Sequence, residues 1–168
     1  MADKTVKTNA ERMLDKMKIA HKEYLYDGSQ ALSGVEVAAL LGQDERRVFK
    51  TLVTVGKSGA HYVFMIPVAE ELDLKKAARA VGEKSVEMVK SKELLPLTGY
   101  VHGGCSPIGM KKFFRTTVHE SAKDCSEIIF SGGKIGCQIE TSPENLAKAV
   151  RFGYADIVKR GEELTTEQ

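Results

Sequence analysis

Arg47-Val48-Phe49-Lys50-Thr51-Leu52-Val53-Thr54-Val55 reads as an interior β-strand with a lysine in its middle. Alternation puts Val48, Lys50, Leu52 and Thr54 on one face and Phe49, Thr51, Val53 and Val55 on the other. Lysine is almost never fully buried without a partner. Lys50 must therefore snorkel to water, guard a sheet edge, or stand at the wall of a pocket that takes an anionic or carbonyl ligand. The strand by itself leaves all three open.

Outward from that strand, Gly56-Lys57-Ser58-Gly59 reads as a hairpin loop and residues 60–66 as the returning strand, stopped by Pro67. Upstream, Ser33-Gly34-Val35-Glu36 is a capping box opening a short helix through Leu41, with Gly42 as its left-handed C′ residue. Another capping box, Thr8-Asn9-Ala10-Glu11, starts an amphipathic helix running to about Lys18. Residues 21–26 look extended, with Lys22, Tyr24 and Tyr26 on one face.

Downstream, Asp73 caps a helix ended by Gly82, whose Lys75, Lys76 and Arg79 read as a solvated face before an RNA track. Residues 84–89 suit a short strand, Ser91 begins a helical turn or two before Pro96, and residues 113–119 read as strand. Ile128-Ile129-Phe130 and Ile135-Gly136-Cys137-Gln138-Ile139 form a hairpin closed by Ser131-Gly132-Gly133-Lys134. Ser142-Pro143 starts a last helix closed by Gly153, residues 155–158 add a short strand, and residues 161–168 read as a flexible tail. Strands outnumber alternating β-α pairs and several are hairpin-linked. The expected fold is α+β: a twisted, barrel-like mixed sheet flanked by helices, one domain over residues 1–160.

At 168 residues, with 42% hydrophobic and 29% charged, the chain suits one soluble globular domain. A net charge of +2 argues against gripping a duplex through many phosphates, so DNA is not an expected partner and any RNA should be touched over a small area. The first residues hold no apolar signal segment, and no window approaches the ~18 apolar residues of a membrane span, so the reading is cytoplasmic. Cys105, Cys125 and Cys137 lack Cys-x-x-Cys spacing, and His21, His61, His102 and His119 make no His-x-x-x-His pair. No disulfide framework, metal or other cofactor is expected.

Gly104-Cys105-Ser106-Pro107-Ile108-Gly109-Met110-Lys111 superficially suggests a phosphate loop, but Met110 displaces the Lys-Ser/Thr pair that follows the last glycine, and Pro107 removes a donor. What remains is bare backbone that can approach a ligand and aim N–H groups at developing negative charge. Cys105 has only His102 nearby as a partner, and three residues of loop fix no geometry. Carboxylates offer no recognisable pair, which favours chemistry in which the substrate brings its own reactive group.

Three segments, Arg47-Val48-Phe49-Lys50-Thr51-Leu52, the run from Thr98 to Lys112 containing Gly103-Gly104-Cys105-Ser106-Pro107-Ile108-Gly109, and Phe130-Ser131-Gly132-Gly133-Lys134, together resemble the YbaK-type Cys-tRNA(Pro) deacylases. These are relatives of the editing insertion domain of bacterial prolyl-tRNA synthetases. The resemblance implies a free-standing enzyme that clears cysteine from proline tRNA; the modest charge leads to the expectation that it holds only the acceptor end and gains selectivity by acting alongside prolyl-tRNA synthetase. The resemblance implies Lys50 as the essential pocket lysine with Thr51 beside it, Tyr26 as a pocket wall, Gly103 and Gly104 as the close-approach backbone, and Ser131 as a polar contact. It also implies attack by the substrate's own thiol to leave a cyclic thiolactone, which would make the enzyme a lyase in one classification and a hydrolase in another. Ala-tRNA(Pro) deacylation and non-catalytic binding of tRNA ends are the alternatives.

Overall fold

The structure is a computed structural model that describes residues 6–160; the expected tail lies outside the described residues. In chain order the elements are α1 (Asn9–Lys16), β1 (Lys22–Leu25), α2 (Gly34–Leu40), β2 (Phe49–Gly56), β3 (His61–Pro67), α3 (Leu74–Val81), β4 (Val86–Met88), α4 (Ser91–Thr98), β5 (Arg115–His119), β6 (Ile128–Ser131), β7 (Cys137–Thr141), α5 (Pro143–Ala149) and β8 (Phe152–Ala155). Single 3-10 segments stand at Glu45–Arg47 and Glu120–Asp124. One sheet has the order β4-β2-β3-β5-β8 and the other β1-β7-β6. A parallel bridge between Val48 and Ile129 joins them, giving the barrel-like wrap that the sequence predicts.

Local chemistry explains most of the element ends. Thr8 and Ser33 each accept from the N3 backbone N–H, and Glu11 and Glu36 reach back to the cap N–H, so both predicted capping boxes form. Asp73 accepts from the N–H groups of Lys75 and Lys76, and Gly82 closes α3 in the left-handed region at φ 76°. The β2–β3 hairpin runs in register from Phe49 opposite Pro67 to Val55 opposite His61. Its inner face carries Phe49 and Met65 into a core with Leu14, Ile108, Phe130 and Ile139. Phe49 is 2% exposed, and burying such a ring contributes roughly 1.5–3 kcal/mol. The sheet is mixed because β5 pairs parallel with both β3 and β8.

Three expectations are corrected. α4 does not stop before Pro96 but runs through it to Thr98. The proline forfeits a bond only to the carbonyl of solvent-exposed Lys92, while Thr98 Oγ1 donates to Leu94 O at 2.8 Å and Gly99 caps the end. The last helix ends at Ala149 with Val150 as its cap, and Gly153 sits inside β8 opposite Thr117, so the final strand comes earlier than residues 155–158. Nor is Lys76 part of a solvated face. Its ammonium donates to Asp156 at 3.2 Å and to Val158 O at 2.9 Å, pinning α3 to the chain beyond β8.

Candidate active site

Lys50 stands in a seam between two apolar clusters. Antiparallel register sets Lys50 opposite Ile66 and Leu52 opposite Phe64, so these four side chains share the outer face. Farther along that face, Leu52, Phe64 and Ile66 pack with Leu72 and with Ala77 and Ala78 of α3. On the other side, Val48 and Val68 pack with Ile129, Tyr24 and Ala38 of α2. Lys50 falls between the two clusters and belongs to neither. It is half-buried and makes no hydrogen bond or ion pair with any described residue. Burial pushes its ammonium below the ordinary lysine range, against the opposing pull of Glu71 and Glu70.

The bridge between the sheets sets a second strand alongside. Continuing the Val48–Ile129 register by two residues puts Lys50 beside Ser131 on the same face. The bridge is isolated, so the strands part there. Ser131 pairs with Gln138, and Gln138 with Tyr24. A transverse row thus crosses the two sheets: Tyr24, Gln138 and Ser131 on strands roughly 4.8 Å apart in one, and Lys50 and Ile66 likewise in the other, the two halves parting between Ser131 and Lys50. Tyr26 donates its N–H to Gly136 O at 2.9 Å just past β1, and continues the alternation that faces Tyr24 toward the row.

Gly103 and Gly104 arrive against the loop between β6 and β7, which connects the strands of Ser131 and Gln138. A Cβ on Gly104 would lie 2.9 Å from both Ile135 N and Lys134 Cα, so only glycine permits that backbone contact. Gly103 has φ 87°, again a glycine conformation. Gly104 N–H donates to Val101 O at 2.9 Å to close its own turn, whereas Gly103 N–H has no partner among the described residues. One of the two adjacent loop donors is therefore engaged. Ser131 Oγ accepts from Gly133 N–H at 3.1 Å, which shapes the facing loop.

Ser131, Tyr26 and the double glycine thus gather around the loop between β6 and β7, Lys50 stands on the face that carries Ser131 across the bridge, and Thr51 is turned away. It sits opposite Met65 on the inner face, with Oγ1 buried and unpartnered. Cys105 is buried among Val53, Val63 and Tyr100, and burial pushes its thiol up to about 12. A thiol kept protonated at neutral pH is a poor nucleophile.

Sequence reasoning missed the polar groups that flank the row. Glu140, with a side chain 4% exposed, accepts from Arg47 Nη1 at 2.7 Å and from Tyr24 Oη at 2.5 Å. Burial pushes this carboxyl up, but the bonds from Tyr24 and Arg47 outweigh it and hold the group below the ordinary range. Gln43 Nε2 donates to Gln138 Oε1 at 2.7 Å. No local pattern marks either network, because the partners lie far apart in sequence.

On the inner face, Glu11, Glu23 and Cys137 bring three possible metal ligands within 4.8 Å of one another. Glu11 is already committed to the Thr8 cap, and the Cys137 thiol is pushed up to about 12, first by burial and then by Glu11. An open groove of about 690 Å³ between β4 and α4, lined by His61, Met88 and Leu97, shares no residue with the row. Among the described residues no helix is long and apolar enough to cross a membrane.

The family model described as an aminoacyl-tRNA editing domain matches residues 29–149. The chain is 48% identical over 155 residues to an Enterococcus faecalis protein named as a candidate Cys-tRNA(Pro)/Cys-tRNA(Cys) deacylase, EbsC, covering 92% of this chain and 94% of that one. A crystal structure described as a candidate trans-editing enzyme for prolyl-tRNA synthetase superposes with TM-score 0.79 at 24% identity, covering 92% of this chain and 99% of the other. A computationally designed epitope scaffold superposes with TM-score 0.80, also at 24% identity, over 92% and 99%. At that identity the two structures speak to the fold alone. The extent of the family match and the close relative establish the lineage: the chain belongs to the aminoacyl-tRNA editing domain family.

Proposed function

We propose that this protein is a trans-editing deacylase that removes cysteine from mischarged Cys-tRNA(Pro), with Lys50 as its key cation. The observation that carries the reading is the half-buried ammonium of Lys50, which makes no hydrogen bond or ion pair among the described residues and stands on the face that carries Ser131, whose strand leads into the loop met by the double glycine. A cation kept partly dry without a carboxylate partner is poised for an anionic or carbonyl ligand. The E. faecalis relative, whose name specifies this substrate, supports the choice of cysteine.

The ester linking an amino acid to tRNA is already activated. The cysteinyl sulfur attacks its own carbonyl carbon, forming a C–S bond. The C–O bond to the terminal ribose breaks, and the thiol proton passes to the departing ribose oxygen. The products are a cyclic thiolactone and uncharged tRNA. Effective molarities for well-oriented intramolecular steps reach about 10⁵ M or more, although strain in the small ring forfeits part of that. Lys50 holds the carbonyl end or the terminal adenosine, Tyr26 walls the pocket, Ser131 supplies a polar contact, and Gly103 N–H faces the developing oxyanion. Thr51, on the far side of β2, contributes through the strand that carries Lys50.

Turnover of Cys-, Ala- and Pro-tRNA(Pro) by the purified protein tests the reading. It expects rapid loss of cysteine only; faster loss of alanine would assign the Ala-tRNA(Pro) activity, and no turnover would leave a binder of tRNA ends. With a net charge of +2, the protein should grip little of the tRNA body, so selectivity for proline tRNA comes from acting beside prolyl-tRNA synthetase in the cytoplasm. A strong preference for proline tRNA without the synthetase would refute that partnership.

A further inference from the structure

Gln138 occupies the middle of the transverse row, between Tyr24 and Ser131, and is 6% exposed. Its Oε1 is held by Gln43 Nε2 at 2.7 Å, which sets the direction of the amide and turns Nε2 the other way. Gln138 Nε2 has no hydrogen-bond partner among the described residues. Nor is it one of the unpartnered atoms sealed from solvent, which among the described residues are Gln43 Oε1, Thr51 Oγ1 and Ser121 Oγ. An amide NH₂ with two open donors, on the same row as the half-buried ammonium of Lys50, is suited to an acceptor atom. Of the two glycines only Gly103 has its N–H unengaged among the described residues, and an oxyanion is held best by more than one donor.

We propose that Gln138 is a further catalytic residue of the deacylation, donating from Nε2 to the ester carbonyl oxygen as it becomes an oxyanion, with Gln43 as the positioning residue; this rests on the deacylase reading above. Both Nε2 protons stay on nitrogen. The carbonyl electron pair moves onto oxygen as the C–S bond forms and returns as the C–O bond breaks. The buried, unpartnered carbonyl of Gln43 is the cost of this arrangement. Turning the Gln43 amide alone would set two carbonyl oxygens against each other.

The test compares Gln138→Met, Gln138→Glu, Gln43→Met and Gln43→Glu with the unaltered protein, in Cys-tRNA(Pro) turnover and in binding to cysteine joined by an amide to 3′-amino-3′-deoxyadenosine. Gln138→Met and Gln138→Glu should each lose roughly 10²-fold in kcat, with KM changed by no more than about twofold. Gln43→Glu accepts from Gln138 Nε2 and reverses its amide, so it should lose as much, whereas Gln43→Met should lose less than about tenfold. Undiminished kcat in either Gln138 variant, or equal kcat in the two Gln43 variants, overturns the proposal. If Gln138→Met does not fold, the Gln43 pair decides. If the unaltered protein binds the amide probe without turning over Cys-tRNA(Pro), the deacylase reading fails by itself. Gln138 is then judged on the probe, where several-fold weaker binding by Gln138→Met sustains an acceptor-binding role and equal binding ends it. Neither turnover nor binding by the unaltered protein overturns both.

Discussion

Replacing Arg47 by alanine should destabilise the protein in a pH-dependent way. Glu140 is 4% exposed at its side chain, and Arg47, 32% exposed, is its cationic partner at 2.7 Å. Removing one partner of a fully buried pair costs about 3–5 kcal/mol. Arg47 is a third open to solvent and Tyr24 remains as a donor to Glu140, so about 2–3 kcal/mol is expected. For a chain of this size that lowers Tm by about 5–10 °C. The folded Glu140 carboxyl lies below its unfolded range, so its contribution is present above the ordinary carboxylate pKa and is lost as pH falls through the folded value. Without Arg47, burial drives the group up instead, so the deficit of Arg47→Ala should be largest near neutrality and shrink on acidification. Adding Glu140→Gln, which removes the stranded charge, should recover much of the loss. Circular-dichroism melts of the parent, Arg47→Ala, Glu140→Gln and the double variant from pH 4 to 8 measure this. A Tm for Arg47→Ala within about 1 °C of the parent at neutral pH would refute the reasoning.

Lys50→Met should raise Tm while cutting deacylation by roughly 10²-fold or more, because it relieves the burial of a cation and removes the group that holds the substrate. Unchanged turnover would remove Lys50 from the mechanism. If the protonated form does the work, activity in the unaltered protein should fall on the alkaline side below the ordinary lysine pKa of 10.5, because the folded value is lowered. A rate that stays flat past 10.5 would contradict this. Cys105→Ala should keep most of the activity, since its thiol is buried and pushed up to about 12; loss of turnover in a folded protein would make the enzyme's own sulfur the nucleophile.

The parts of this fold written in adjacent residues were legible. The capping boxes at Thr8 and Ser33, the left-handed glycine at 82 and the alternation around Lys50 each depend on a few neighbouring side chains and backbone bonds. That alternation also implied that Thr51 points away from Lys50, although the family resemblance put the two together. What was not legible depends on contacts distant in sequence. The Val48–Ile129 bridge that brings Ser131 beside Lys50 has no local signature, and neither do Gln43 with Gln138 or Arg47 with Glu140. The sequence reading took Lys76 as solvated because nothing in its helix reveals Asp156.

In the proposed mechanism the substrate's sulfur performs the displacement while the protein holds the ester in place. The most direct measurement of this is the single-turnover rate on Cys-tRNA(Pro) against Ser-tRNA(Pro), which differ by one atom in the attacking group. The serine ester should react far more slowly, by roughly 10²-fold or more if the intramolecular advantage is lost. Equal rates on the two esters would contradict the claim and require a nucleophile from the protein or from water.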